Sequence, residues 1–159
     1  MSTKQKRFLL SENEIPTQWY NIQADMVNKP LPPIHPATKQ PLTVDDLAHI
    51  FPRECCVQEL DTTHAWIDIP EEVLDKYKYY RSTPLGRAYG LEEALGTPAH
   101  IYFKNESTNP LGSHKINSAL PQCYYAKMEG TTNVTTETGA GQRGAVLSYG
   151  ANLYGLHSA

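Results

Sequence analysis

The sequence predicts an α/β fold, three-layered and mainly parallel, on three observations. A β-rich run at residues 99–104 is followed by an apolar stripe of Ile116, Ala119, Leu120 and Cys123. That i, i+3, i+4, i+7 spacing marks one buried helix face. A second β-rich run at 133–137 leads into the loop Gly139-Ala140-Gly141 and a further helical pattern over 145–156. Strand, helix, strand, loop, helix is a βαβα order, which implies parallel strands joined by right-handed crossovers.

In chain order, residues 1 to about 42 show little helical or strand pattern. Pro16, Pro30, Pro32, Pro33, Pro36 and Pro41 deny the backbone regular hydrogen bonding. Ile15, Trp19, Tyr20, Ile22 and Ile34 are spaced apolar anchors, so this stretch reads as a segment wrapping over a core. Thr43 caps a short helix reaching Leu47 and Ile50, with Asp45 and Asp46 in its first turn and Pro52 ending it. Residues 65–69 alternate like a brief strand, and Pro70 opens a helix with Glu71 and Glu72. Residues 79–85 form a turn-rich link, and 86–95 read as a helix stopped by Gly96. Ser113 caps the helix of the apolar stripe, Pro121 should kink it and Gly130 closes it. The division is therefore 1–80, a Pro-rich wrapping segment, and 81–159, a partial α/β domain. No strand is expected after the 145–156 helix, which points to a piece of a larger α/β unit.

Composition narrows the class. The 159 residues are 40% hydrophobic and 19% charged, with a net charge of −3. That balance gives no electrostatic case for nucleic acid or an anionic membrane. No apolar run approaches the roughly 18 residues of a membrane span, and residues 1–10 lack the apolar centre of a signal peptide. Cys55, Cys56 and Cys123 form neither a disulfide framework nor a CxxC metal site. A soluble cytoplasmic protein is expected.

The chemistry-bearing residues cluster between Ile101 and Gly144, in three pieces: Tyr102-Phe103-Lys104-Asn105-Glu106, Gly112-Ser113-His114-Lys115-Ile116-Asn117 and Glu137-Thr138-Gly139-Ala140-Gly141-Gln142, each at a strand end or a helix mouth, where α/β proteins put their chemistry. A lysine is ordinarily a solvated surface group. Lys115, however, follows Gly112-Ser113-His114 at a predicted helix start, where the helix dipole disfavours a cation. That field, with burial, favours the neutral amine an imine-forming nucleophile requires. His114 by itself fits a structural histidine equally well. Gly139-Ala140-Gly141-Gln142-Arg143-Gly144 matches the dinucleotide pattern G-x-G-x-x-G. Glu137 would set a like charge against a pyrophosphate there. It makes better sense as a proton carrier, with glycine amides open to a carboxylate, or as a solvated strand-end group.

These residues resemble the β chain of tryptophan synthase, specifically the longer second class of those chains. The likeness runs nearly end to end. It includes Ile15-Pro16-Thr17-Gln18-Trp19-Tyr20-Asn21, Leu31-Pro32-Pro33, Ile50-Phe51-Pro52 and Ile69-Pro70-Glu71-Glu72-Val73. It continues through Thr83-Pro84-Leu85, Gly112-Ser113-His114-Lys115 and Glu137-Thr138-Gly139-Ala140-Gly141-Gln142. The resemblance implies a fold-type II enzyme dependent on pyridoxal 5'-phosphate, a lyase that joins L-serine and indole to give L-tryptophan and water. Lys115 matches the lysine that carries the cofactor and takes the Cα proton of bound serine. Glu137 matches the acid/base that helps the β-hydroxyl leave, a duty suited to a carboxyl in an apolar pocket. Thr138, Gly139, Ala140, Gly141 and Gln142 match the loop that grips the substrate carboxylate. Gln142 also lies near the cofactor ring, and His114 and Asn117 flank the lysine. A homodimer at full length and an α-chain partner are implied as well.

Departures accompany the likeness. Arg143 stands where this class has tryptophan, and a guanidinium there is expected to overbind substrate or displace the loop. Tyr80 and Ser82 replace the glycine and proline of the Gly-Arg-Pro-Thr-Pro-Leu turn. The phosphate cup and the serine facing the pyridine nitrogen belong downstream of Ala159, so these residues alone are expected to be inactive. The rival readings are a dinucleotide-binding oxidoreductase and a non-catalytic fragment that docks on a full-length chain.

Overall fold

Residues 4–159 are described by the computed structural model. The elements in order are β1 (Arg7–Phe8), β2 (Gln18–Tyr20), α1 (Val44–Leu47), α2 (Arg53–Leu60), β3 (Trp66–Asp68), α3 (Glu71–Lys78) and β4 (Leu85–Arg87). After them come α4 (Tyr89–Ala94), β5 (Tyr102–Lys104), α5 (Ile116–Met128), β6 (Asn133–Val134), α6 (Gln142–Tyr154) and β7 (His157–Ser158). No helix among the described residues is long and apolar enough to cross a membrane.

The core lies where α5 meets α6 and α3. Ile116, Ala119, Leu120 and Cys123 pack with Val146, Leu147 and Tyr154, and with Ile69, Val73 and Tyr77. The predicted stripe is therefore the buried face. Each of Ile116, Leu120 and Val146 is fully buried, worth about 1.5–3 kcal/mol relative to exposure. Gly150 lets the two helices close: a Cβ there would stand 3.0 Å from Cys123 Sγ and 3.4 Å from the Ala119 carbonyl oxygen.

Pro121 sits inside α5, which is one continuous element through it. A proline has no N–H to give the carbonyl four residues back, here that of Asn117. The Tyr77 hydroxyl donates to that carbonyl at 2.5 Å. The side chain from α3 thus supplies a donor that the helix cannot.

Pairing is less parallel than expected. β1, β4 and β5 form an antiparallel three-stranded sheet, and β2 and β3 an antiparallel pair. The parallel pairing is between β6 and β7, joined through α6. β5 and β6, which flank α5, lie in different sheets. The α/β class holds, and its parallel part is this one βαβ unit.

Several local expectations need correction. A strand, β7, does follow α6. Gly86 lies in β4, paired with Arg7 and Phe103, rather than opening a helix, and the Phe103 ring across the ladder occupies the space where its Cβ would sit. Pro52 does not merely end α1 but stands at the N-cap of α2, a helix the sequence pattern did not reveal. The capping expectations for α1 and for Gly96 and Gly130 hold. Thr43 and Asp46 form a reciprocal capping box, and both glycines have positive φ.

Candidate active site

Lys115 is the N-cap residue of α5, one position earlier than the first-turn place predicted for it. Its amide donates to Ser113 Oγ at 3.3 Å. Ser113 is in turn clamped by Asn109, which is only 5% exposed. The Asn109 side chain donates to the Ser113 carbonyl at 3.0 Å and accepts from the amides of Leu111 and Ser113 at 3.0 and 3.3 Å. An Asx residue that replaces backbone partners in this way fixes a tight loop. The Lys115 side chain is half-buried, and among the described residues its amine makes no hydrogen bond or ion pair. His114 is exposed beside it.

Asn117 is held from three directions. Its carbonyl accepts from Tyr77, its side-chain oxygen accepts from the Tyr80 hydroxyl at 2.9 Å, and its side-chain nitrogen donates to Glu106 at 3.3 Å. Burial pushes the Tyr80 phenol well above its usual range, so it remains a donor. Tyr80 therefore has a role that the glycine of the resembled turn could not fill. Ser82 donates to the Leu10 carbonyl at 2.7 Å.

Glu106 lies in a piece the sequence reading singled out but gave no role, and Thr83, Asn109, Tyr77 and Tyr80 were not assigned to the site at all. Glu106 accepts from Thr83 Oγ1 at 2.7 Å, Asn117 at 3.3 Å and Asn109 at 3.4 Å, with the Lys104 ammonium at 3.7 Å. Burial is the largest influence on it and opposes its charge. The hydrogen bonds from Thr83 and Asn117 and the Lys104 charge outweigh burial and hold it below the usual carboxylate value. The available signal was Lys104-Asn105-Glu106 at the end of a β-rich run, with Asn109 before the glycine turn.

Glu137 does not occupy the expected apolar pocket. It is exposed, on the loop between β6 and α6. Gly141 takes a left-handed φ of 84° at the α6 N-cap, a conformation glycine adopts freely. Thr138 folds back over Gly144, its Cγ2 3.2 Å from where a Cβ would sit. Among the described residues the amides of 138–144 donate to no protein acceptor, and α6 has no side-chain cap. Gly139, Ala140 and Gln142 are exposed with them. Arg143 donates to Ser118 Oγ at 3.2 Å and to Gln122 Oε1, so its guanidinium is engaged by α5.

Two cavities flank this region. One of about 600 Å³ includes Trp19, Tyr77, Arg81, His114 and Asn117 in its wall. The other, of about 720 Å³, includes His49, Phe51, Glu137 and Arg143, and Gln122 borders both. Lys115 lines neither of these two cavities, and Glu137 lines only the second. Burial pushes the Cys55 thiol up to about 12 and Cys123 up to about 11, which removes either as a thiolate at neutral pH.

This donor set fits an aldehyde-bearing cofactor: a half-buried primary amine without a competing partner, and a row of open amides for an anion. A family model described as pyridoxal-phosphate dependent enzyme matches residues 77–159, just over half of the chain. The chain belongs to that family.

Membership makes pyridoxal phosphate the cofactor and answers the dinucleotide reading of Gly139 to Gly144. Among curated relatives, tryptophan synthase beta chain 2 of Methanosarcina acetivorans is 47% identical over 156 residues, 98% of this chain and 35% of that one. The Aquifex aeolicus beta chain 2 is 51% identical over 152 residues, covering 95% and 35%. That of Thermotoga maritima is 50% identical over 147 residues, covering 92% and 35%. The chain thus spans about a third of the length of these relatives.

Proposed function

We propose that the chain carries the lysine, acid/base and carboxylate-loop portion of a lyase that joins L-serine and indole to give L-tryptophan and water. The observation that supports this best is the open run of amides at 138–144 behind Glu137, in a chain half identical to tryptophan synthase beta chains. When bound, pyridoxal phosphate supplies an electron sink for charge developing at Cα of the amino acid.

Lys115 holds the cofactor and moves the proton at the serine Cα. Among the described residues its amine has no partner, and Ser113 Oγ accepts its amide. The amides of Thr138, Gly139, Ala140, Gly141 and Gln142 receive the substrate carboxylate. The positive end of α6 adds to their attraction. Glu137 gives a proton to the departing β-hydroxyl oxygen and takes one from the indole carbon that bonds to Cβ, so atoms and charge balance with water as the second product. Closure that brings Glu137 towards Lys115 and excludes water is part of this reading. His114, Asn117 and Gln142 border the cofactor. Residues 81–159 form the cofactor half and residues 1–80 the wrapping segment. The working protein is cytoplasmic and homodimeric, with an α chain as partner.

Turnover draws on the two thirds of the relatives' length outside this span, because positioning the cofactor requires an anchored phosphate. The test is tryptophan formation from serine and indole by this chain extended to the relatives' length, with and without Glu137→Ala. The variant should retain cofactor absorbance and lose about a hundred-fold or more in rate. An unchanged rate, or equal sustained turnover by the 159 residues alone, refutes the reading.

A further inference from the structure

We propose that Glu106 is the positioning residue for Lys115, an inference that rests on the reading of Lys115 as the cofactor lysine. Its carboxylate joins two arms that hold the backbone on either side of that lysine. On the preceding side, Glu106 accepts from Asn109, Asn109 clamps both backbone groups of Ser113, and Ser113 Oγ accepts the Lys115 amide. On the following side, Glu106 accepts from Asn117, whose other side-chain atom is taken by Tyr80 and whose carbonyl is taken by Tyr77. Thr83 fixes the carboxylate itself, at 2.7 Å, and Thr83 is 5% exposed.

The chemistry selects an ionised carboxylate at this point. All four of its neighbours are donors: the Thr83 hydroxyl, the Asn109 and Asn117 amide nitrogens, and the Lys104 ammonium. A carboxylate accepts at both oxygens, whereas a glutamine of the same shape turns an NH₂ donor against one of those donors. The donors also hold Glu106 below the usual carboxylate value, so it stays charged at neutral pH. Glutamate is thus the side chain that can satisfy the loop before the lysine and the helix turn after it together.

The test uses the chain with excess pyridoxal phosphate, borohydride reduction and peptide mass mapping. Lys78, an exposed lysine paired with Asp75, serves as the internal reference. The wild-type Lys115:Lys78 labelling ratio should exceed one. Glu106→Gln should lower it at least three-fold, while Glu106→Asp, which keeps the charge, should recover at least half of the loss. Thr83→Val, which removes one donor isosterically, should lower it by a smaller factor and covers the case in which Glu106→Gln does not fold. Amide exchange over residues 113–119, read without cofactor, should quicken in the same order. A ratio that is selective in the wild type and unchanged in these variants overturns the positioning role alone. A wild-type ratio of one or less overturns the assignment of Lys115, and this proposal with it.

Discussion

Tyr77 and Pro121 form a pair whose energetics can be worked from geometry. Tyr77 is fully buried, and its hydroxyl donates at 2.5 Å to the Asn117 carbonyl, which Pro121 deprives of its helical donor. Tyr77→Phe removes that donor while keeping the ring, so the packing against Tyr80 and α5 changes little. The lost bond and the carbonyl left short of a partner together cost about 1–3 kcal/mol. For a chain of this length that is a fall of roughly 2–12 °C in Tm.

Pro121→Ala changes the sum in a diagnostic way. An alanine at 121 brings an N–H in register with the same carbonyl, so the hydroxyl is no longer its needed donor. In that background Tyr77→Phe should cost less, giving a coupling of about 0.5–1.5 kcal/mol between two residues on different helices. The single Pro121→Ala value is not diagnostic, because regained helix propensity opposes the loss of a buried ring. Urea denaturation followed by far-UV circular dichroism on the four proteins gives the coupling directly. Effects that add to within about 0.5 kcal/mol would show that Tyr77 does not replace the missing bond.

Two further outcomes are expected. Gly150→Ala should destabilise, because the new Cβ stands only 3.0 Å from Cys123 Sγ in the buried α5–α6 seam, and overpacking there, at about 1–3 kcal/mol, outweighs the roughly 1 kcal/mol of helix propensity gained. Gly90→Ala in α4, with nothing within 4 Å of the new Cβ, should stabilise by about 0.4–1 kcal/mol. The same sign for both in urea denaturation refutes the close α5–α6 contact. With pH, Glu92 is held below its usual value chiefly by the Arg87 hydrogen bond, and Glu106 by its donors. Both contributions are therefore complete above the unfolded glutamate value of about 4.3 and are lost as pH falls through the lower folded values. Glu92→Gln should flatten the fall in stability between about pH 5 and 3. An unchanged slope refutes the assignment.

What the sequence revealed and what it hid divide along local and non-local physics. The α5 stripe, the Thr43–Asp46 box and the positive-φ glycines at 96 and 130 depend on neighbours within about one helical turn, and all were legible. β4 depends on a ring seventeen positions away in sequence, and β7 on a two-residue pairing with β6, so neither left a local mark. The site divides likewise. The lysine and the glycine loop stood out as motifs. The acceptor duty of Glu106 links positions 83, 109 and 117, which are neighbours only after folding. α2 was missed for a different reason: it buries only Cys56, so it carries no apolar periodicity.

Arg143 bears on the electrostatics of the exposed loop before α6. The resemblance raised the expectation that a guanidinium here displaces the loop or grips the substrate too strongly. Its hydrogen-bond partners are Ser118 and Gln122, both neutral, so the side chain is held on α5, and among the described residues no carboxylate pairs with it. The α6 N-terminus adds the equivalent of about half a positive charge, with no side-chain cap to offset it. Against these stands one formal negative charge on the same loop, Glu137. Arg143 and the α6 N-terminus therefore add positive potential on the side of the open amides, offset in part by Glu137 and by Glu129, which lines the same cavity.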